Sequence, residues 1–308
     1  MGGNKERAFV AGADKVNIDL IFSGLGKLPE EGHEVMSEGF SLEMGGGIPA
    51  TLVGLGRLGV PVRVQTPLGD DLFSGFAKDF FIKNGVDVVN LTPDYAGIPL
   101  NVTSVQLTPH DRTFVTYSDR REPSGEEVEL VYQRSTGAKI CCMNPVYLPV
   151  YRRLKDEGTI LVLDTGWDDD MSLESWKPLL ELADYYLPNR LEAMKITGTD
   201  SPEEAAQRLE PYFETVIVKL DADGCLIRKH GVQTLVPSVP VVDYKDSTGA
   251  GDAFYAGFLY GLYHDMSVYD SILCGNLTGG KCVTAIGCLN AWYNEAELLE
   301  AKERYCRQ

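Results

Sequence analysis

Apolar residues along this chain follow two rhythms, and the architecture is expected to change where the rhythm does. Residues 48–58 and 71–84 place apolar side chains at helical spacing, and each stretch ends at a glycine, Gly59 or Gly85, with Pro61 just beyond the first. These are helix stops. Residues 8–11, 62–66 and 86–91 are short apolar runs of strand length. From residue 138 the same alternation resumes, with strands at 138–143, 159–164, 185–187, 215–220 and 225–229 separated by helices near 147–157, up to 183 and through 209. Short strands apolar on both faces and divided by helices predict a mostly parallel sheet between two helical layers, a three-layer doubly wound α/β fold.

Two stretches break this rhythm. Residues 101–107 and 113–117 alternate apolar and polar positions around a turn at Pro109-His110-Asp111, which is hairpin patterning. Residues 14–20 lead into a polar stretch that runs to Leu42 and contains Gly24, Gly26, Pro29 and Gly32; too long for a tight turn, it is expected to carry strands of its own. Together these segments predict a small second sheet. No internal repeat and no Pro-, Gly- or Ser-rich linker divides the chain, so the expectation is a single domain over 1–308 with a β-sheet lid inserted at about 14–46 and 95–120.

Charge narrows the partners. The 28 Lys and Arg against 45 Asp and Glu give a net charge of −17, which repels nucleic acid and anionic membrane surfaces. A small phosphate remains admissible, because backbone N–H groups can hold it locally. The N-terminus Met1-Gly2-Gly3-Asn4-Lys5-Glu6-Arg7 carries no apolar leader, and Glu6 stands where a myristoylation signal wants Ser or Thr. No apolar run approaches the ~20 residues of a membrane helix. Seven cysteines without a C-x-x-C pair and four scattered histidines point to reduced thiols and no structural zinc, hence to a cytoplasmic protein.

Several motifs imitate chemistry in the wrong context. Gly54-Leu55-Gly56-Arg57-Leu58-Gly59 fits the dinucleotide fingerprint, but that motif needs a strand before it and a helix after it, and here a helix leads in. Gly275-Asn276-Leu277-Thr278-Gly279-Gly280-Lys281-Cys282 differs from a phosphate loop at Cys282, whose sulfur is a poor Mg²⁺ ligand, and it lies inside a helical pattern. Both read as packed helices. Asp168-Asp169-Asp170 reads as a solvated helix start and Cys141-Cys142 as strand packing.

Asp246-Ser247-Thr248-Gly249-Ala250-Gly251-Asp252 is different, because it runs directly into the apolar helix at 253–262. Ser247 or Thr248 is expected to cap that helix, and the small residues let its first N–H groups approach an anion. A carboxylate beside such a site repels phosphate. Asp252 makes sense there as a base that takes a proton from a hydroxyl attacking phosphorus, although an Asp merely complementing the helix dipole is the competing account.

Residues 246–259 resemble the second signature of the ribokinase-like, or PfkB, family of carbohydrate kinases. Asn17-x-Asp19 resembles the family's sugar-binding pair, and Gly45-Gly46-Gly47 with the 54–59 glycine run resembles its first signature. Gly69-Asp70-Asp71-Leu72-Phe73 resembles the segment after the following strand, Asn189-Arg190-Leu191-Glu192 has the N-x-x-E spacing, and residues 218–224 resemble the nucleotide-side strand and turn. The matches keep the family's order and span essentially the whole chain.

The resemblance implies ATP as phosphate donor with Mg²⁺, Asp252 as the base, and Gly249, Ala250 and Gly251 as the anion hole. It implies a sugar site of Asn17, Asp19, Gly45 and Gly46, with Asn144 where family members present a Glu, and a nucleotide site of Asn189, Lys219, Gly224 and Asn276. Glu192 would organise Mg²⁺ through water, and Asp246 and Thr248, with carbonyls near 285–287, would hold a monovalent cation such as K⁺. Ala50 departs from the pattern, standing where many members have a sugar-contacting Asn. The acceptor thus stays open among sugars, sugar acids met by Lys15, Lys27, Arg112, Arg120 or Arg121, and nucleosides met by Phe22, Phe40 and Tyr117. A non-catalytic sugar-binding sensor is the alternative from another class. Exposed lid edges make a homodimer through the lid an expectation.

Overall fold

The computed structural model describes residues 9–307. In chain order its strands are β1 (Val10–Ala13), β2 (Asn17–Ser23), β3 (Gly39–Met44), β4 (Val62–Thr66), β5 (Asp87–Asn90), β6 (Asn101–Leu107), β7 (Arg112–Ser118), β8 (Ile140–Met143), β9 (Ile160–Leu163), β10 (Tyr185–Tyr186), β11 (Val216–Lys219), β12 (Cys225–Lys229) and β13 (Val232–Val236). Six of them form the main sheet in the order β10-β9-β8-β1-β4-β5, and every pairing in it is parallel. This is the expected doubly wound sheet. The first strand lies slightly later than its apolar run suggested, continuing through Gly12 and Ala13, while the run's first residue, Ala8, and the N-terminal segment read for a leader lie outside the described residues.

Strand alternation divides the core into two clusters, one on each face. Ile140 and Cys142 of β8 join Leu52, Leu55, Phe81 and Phe258, whereas Cys141 and Met143 join Tyr151, Leu154, Leu180 and Ile196. The helices Ile48–Arg57, Leu72–Lys83, Ala250–Tyr263 and Val268–Cys282 therefore cover one face, and Leu148–Asp156, Leu173–Leu180 and Arg190–Thr197 the other. Cys141 and Cys142 are packing residues, as read; burial pushes the Cys142 thiol up to about 12. Two helices carried too weak an apolar pattern to be read from sequence. Gly125–Ser135 buries only Val131 and Ser135, and Glu295–Cys306 only Leu298 and Ala301; capping by Ser124 and Asn294 marks their starts.

The glycine motifs set aside above serve as packing surfaces. A Cβ on Gly275 would stand 2.8 Å from the Phe254 ring, so that part of the phosphate-loop imitation is where two helices touch. A Cβ on Gly54 would fall 2.0 Å from the Trp292 ring. Trp292 is held by its indole N–H, which donates to the Cys288 carbonyl at 3.1 Å. Gly54→Ala is therefore expected to destabilise the fold by about 1–3 kcal/mol through overpacking, read as a lower midpoint in chemical denaturation; an unchanged midpoint would refute the packing account.

Two smaller sheets flank the main one. β11, β12 and β13 form an antiparallel meander, and a parallel bridge between Asn189 and Lys219, with the Lys219 N–H donating to the Pro188 carbonyl at 2.8 Å, attaches β11 beyond β10. The other sheet runs β3-β2-β6-β7. β6 and β7 are the antiparallel hairpin that the alternation predicted, β2 and β3 are the strands expected within the long polar stretch, and β2 pairs with β6 in parallel.

Candidate active site

The helix Ala250–Tyr263 begins three residues earlier than its apolar pattern, with Gly249 as its N-cap at φ 77°. Only glycine fits there: the conformation is left-handed, and a Cβ would stand 2.7 Å from the Cys288 Cα. Contrary to expectation, no side chain caps this helix. The Thr248 hydroxyl donates instead to the Asp246 carboxylate at 2.8 Å. The Ala250 N–H reaches the Ser247 carbonyl at 3.1 Å, while the amides of Gly251 and Asp252 have no partner among the described residues. The missing cap leaves donors free at the positive end of a helix dipole.

Asp252 points from this first turn to the loop before the helix Ile48–Arg57. Its carboxylate accepts from the Gly47 N–H at 2.9 Å and from the Cys288 thiol at 3.7 Å, and a Cβ on Gly46 would sit 2.5 Å from its Oδ2. Burial pushes its pKa up to about 6, against the Gly47 hydrogen bond, and Asp164 adds to the rise while Lys219 opposes it.

On the far side of the glycine loop lie the residues read as a sugar site. The Asn17 side chain donates to the Gly46 carbonyl at 2.9 Å, and Asn101, not among the residues read as a site from sequence, donates to the Asn17 side-chain Oδ1 at 2.7 Å. A Cβ on Gly45 would meet Asp19 at 2.7 Å. Burial pushes Asp19 up to about 6, and Glu43, directly opposite it on β3, adds to the rise. Like charges facing across a strand pair destabilise a sheet, so this arrangement weakens the sheet it sits in. Asn144 donates to Asp14 at 2.8 Å, and a cavity of about 290 Å³ opens beside them, rimmed by Lys15, Arg120, Arg121 and Tyr147. Ala50 is fully buried in the core beside Leu52 and contributes nothing polar. Phe22 and Phe40 pack on each other with ring centroids 5.3 Å apart, and the Tyr117 hydroxyl donates to the Ile98 carbonyl.

The bridge between Asn189 and β11 assembles the next group. Lys219 pairs with Asp164, at the C-terminal end of β9, at 2.9 Å, with both side chains largely buried. Burial works to lower the Lys219 pKa, but Asp164 and Glu192 outweigh it and hold the ammonium above its ordinary value. Asn189 and Glu192 form a reciprocal capping box, at 2.9 and 2.8 Å, that starts the helix Arg190–Thr197. Burial raises the Glu192 carboxyl against the pull of Lys219. Gly224 turns the chain into β12, and Asn276 lies behind it, its amide donating to the Pro237 carbonyl at 3.0 Å and its oxygen facing the Cys225 thiol. These two stand apart from the Asp252 cluster in this bonding network.

Asp246 and Thr248 surround a protein cation. Arg112, the first residue of β7, lies 3.1 Å from Asp246 and donates to the Thr248 hydroxyl. The Gly287 N–H donates to the other Asp246 oxygen at 3.0 Å. The carbonyls expected near 285–287 thus meet this turn through a backbone amide.

The site has the parts for moving a phosphoryl group to an alcohol, and comparison with known proteins agrees. Residues 8–294 match the pfkB family of carbohydrate kinases, and the chain belongs to that family. It is accordingly a phosphotransferase with an alcohol group as acceptor. A 5-dehydro-2-deoxygluconokinase of Clostridium perfringens is 26% identical over 84% of this chain and 84% of its own length. An aminoimidazole riboside kinase of Salmonella typhimurium is 29% identical over 81% of this chain and 85% of its own. In fold, the ribokinase of Arabidopsis thaliana, solved with ribose and ATP, superposes with a TM-score of 0.83 over 96% of this chain and 99% of its own at 19% identity. Among the described residues no helix is long and apolar enough to cross a membrane.

Proposed function

We propose that this kinase transfers the γ-phosphate of ATP to a hydroxyl of a small sugar or sugar-like molecule, with Asp252 as general base. The observation that carries the reading is one turn of helix that holds both a raised, buried carboxylate and amides without a partner among the described residues. A carboxylate poised near 6 is ionised at neutral pH yet basic enough to accept a proton as the hydroxyl attacks. Gly249 and Ala250 shape the turn, and the amides of Gly251 and Asp252, which have no partner among the described residues, present donors to the charge that develops on the transferring phosphoryl group. Asp19, Asn17, Gly45 and Gly46 hold the acceptor, the β3-β2-β6-β7 sheet closes over it as a lid, and Asn144 lines the adjoining cavity. Asn101 belongs with this group.

Lys219, Asn189, Gly224 and Asn276 border the nucleotide. No three His, Cys, Asp or Glu side chains among the described residues form a direct metal cage. Glu192 and Asp164 would hold Mg²⁺ through its water shell, and the ion would supply charge neutralisation to the phosphates. Exposed Phe114, Val115 and Tyr117 on the edge strand β7 support pairing of two lids in a homodimer.

ADP release across a panel of sugars, sugar acids and nucleosides tests the reading. Stimulation by one sugar class supports it; stimulation by nucleosides alone would move the acceptor to the Phe22–Phe40 side of the lid. No stimulation by any acceptor would refute the transfer as stated.

A further inference from the structure

We propose that Arg112 is a built-in replacement for a monovalent cation at the turn leading into the anion hole, so that this kinase needs no K⁺. The inference rests on the kinase reading above and concerns how that site is kept in order. A carboxylate offers about four lone-pair sites. In Asp246 three donors crowd one oxygen, the Thr248 N–H at 3.0 Å, the Thr248 hydroxyl at 2.8 Å and Arg112 at 3.1 Å, and the Gly287 N–H takes one lone pair of the other at 3.0 Å. The Thr248 hydroxyl also accepts from Arg112. The two side chains that would ligate K⁺ are thus filled by a group of the same charge, and the two cations cannot share the turn. The donor set does not fit an additional ion.

The replacement is directional in a way a free ion is not. A guanidinium has planar donors that can engage a carboxylate and a hydroxyl together. This one is carried by the lid hairpin, 134 positions from Asp246 in sequence, and its guanidinium carbon lies 5.7 Å from the centroid of the Phe114 ring on the same strand. Thr248 immediately precedes Gly249, so the contact ties the lid tip to the residue that shapes the anion hole. Arg112 is a positioning residue in this account, acting through the turn.

The test compares wild type with Arg112→Ala in KCl and in choline chloride at equal ionic strength. Wild-type kcat should change by less than about twofold between the salts, as screening is held constant. R112A should lose about tenfold or more in choline through misplacement of the anion hole, and regain most of it when K⁺ or guanidinium is added. Melting of the nucleotide-free proteins gives a second reading: K⁺ should raise the midpoint of R112A and leave that of wild type unchanged. Three activity results would overturn the proposal: activation of wild type by K⁺ as strong as that of the variant, full activity of R112A in choline, or a loss that neither cation restores. A wild-type midpoint that rises with K⁺, or an R112A midpoint that ignores it, would do the same. If no acceptor supports turnover in either salt, the kinase reading fails, and the melting comparison still decides the role of Arg112.

Discussion

Asp252→Asn should lower kcat by about 10³-fold, the scale expected when a positioned general base is removed. The fold should survive the change. The folded-state pKa of about 6 lies above the ordinary value of 3.8, so the ionised carboxylate is disfavoured by burial at neutral pH. Asparagine removes that cost and can still accept from the Gly47 N–H. Melting at or above the wild-type temperature, together with the lost rate, would separate chemistry from structure. The same pKa sets the sign of the pH dependence: the base works only when deprotonated, so wild-type kcat/KM should fall as pH drops through about 6. A profile flat from roughly pH 5 to 8 would remove Asp252 from the role.

Lys219→Met should produce the largest loss of stability. The substitution keeps much of the volume but strands Asp164, which lies 2.9 Å from the ammonium, beside Glu192 and Asp252. Breaking a largely buried pair from one side costs about 3 kcal/mol, because the remaining charge is left uncompensated. A second effect distinguishes Lys219 from a purely structural cation. It is one of the groups that hold the Asp252 pKa down, so its removal should move the acid limb of the rate profile to higher pH. Denaturant unfolding and the pH profile check the two effects separately. A midpoint equal to wild type would show that Asp164 finds other compensation.

The sequence was legible where backbone geometry dictates residue type. The short apolar runs report strands packed on both faces, and the small residues before an apolar run report a helix start, so the main sheet and the helix bearing Asp252 could be read directly. What stayed hidden depends on partners far apart in the chain. Asp164 looks like an ordinary strand end until Lys219, 55 positions on, is placed beside it. Arg112 looks like one surface cation among several until the hairpin brings it to Asp246. The capping error has the same origin. Thr248 satisfies the local rule for an N-cap, but its hydroxyl is taken by Asp246, and a hydrogen-bonded turn overrides local propensity. Asn101 carried no distinct signal, being one of several polar residues in a strand of alternating apolar and polar positions.

The pairing of β2 with β6 also governs when the lid can exist. Asn17 and Asn101 are neighbours across that pair although 84 positions separate them, and the chain between them supplies β4, β5 and two helices of the main sheet. Its loop-closure entropy is met only once those elements are in place, so the lid is expected to form late. At its outer edge six of the seven residues of β7 are exposed, leaving little burial to resist local opening. Backbone amides there should exchange with solvent long before those of β1. On warming, the proposed acceptor site would lose its cover while the sheet beneath is still intact.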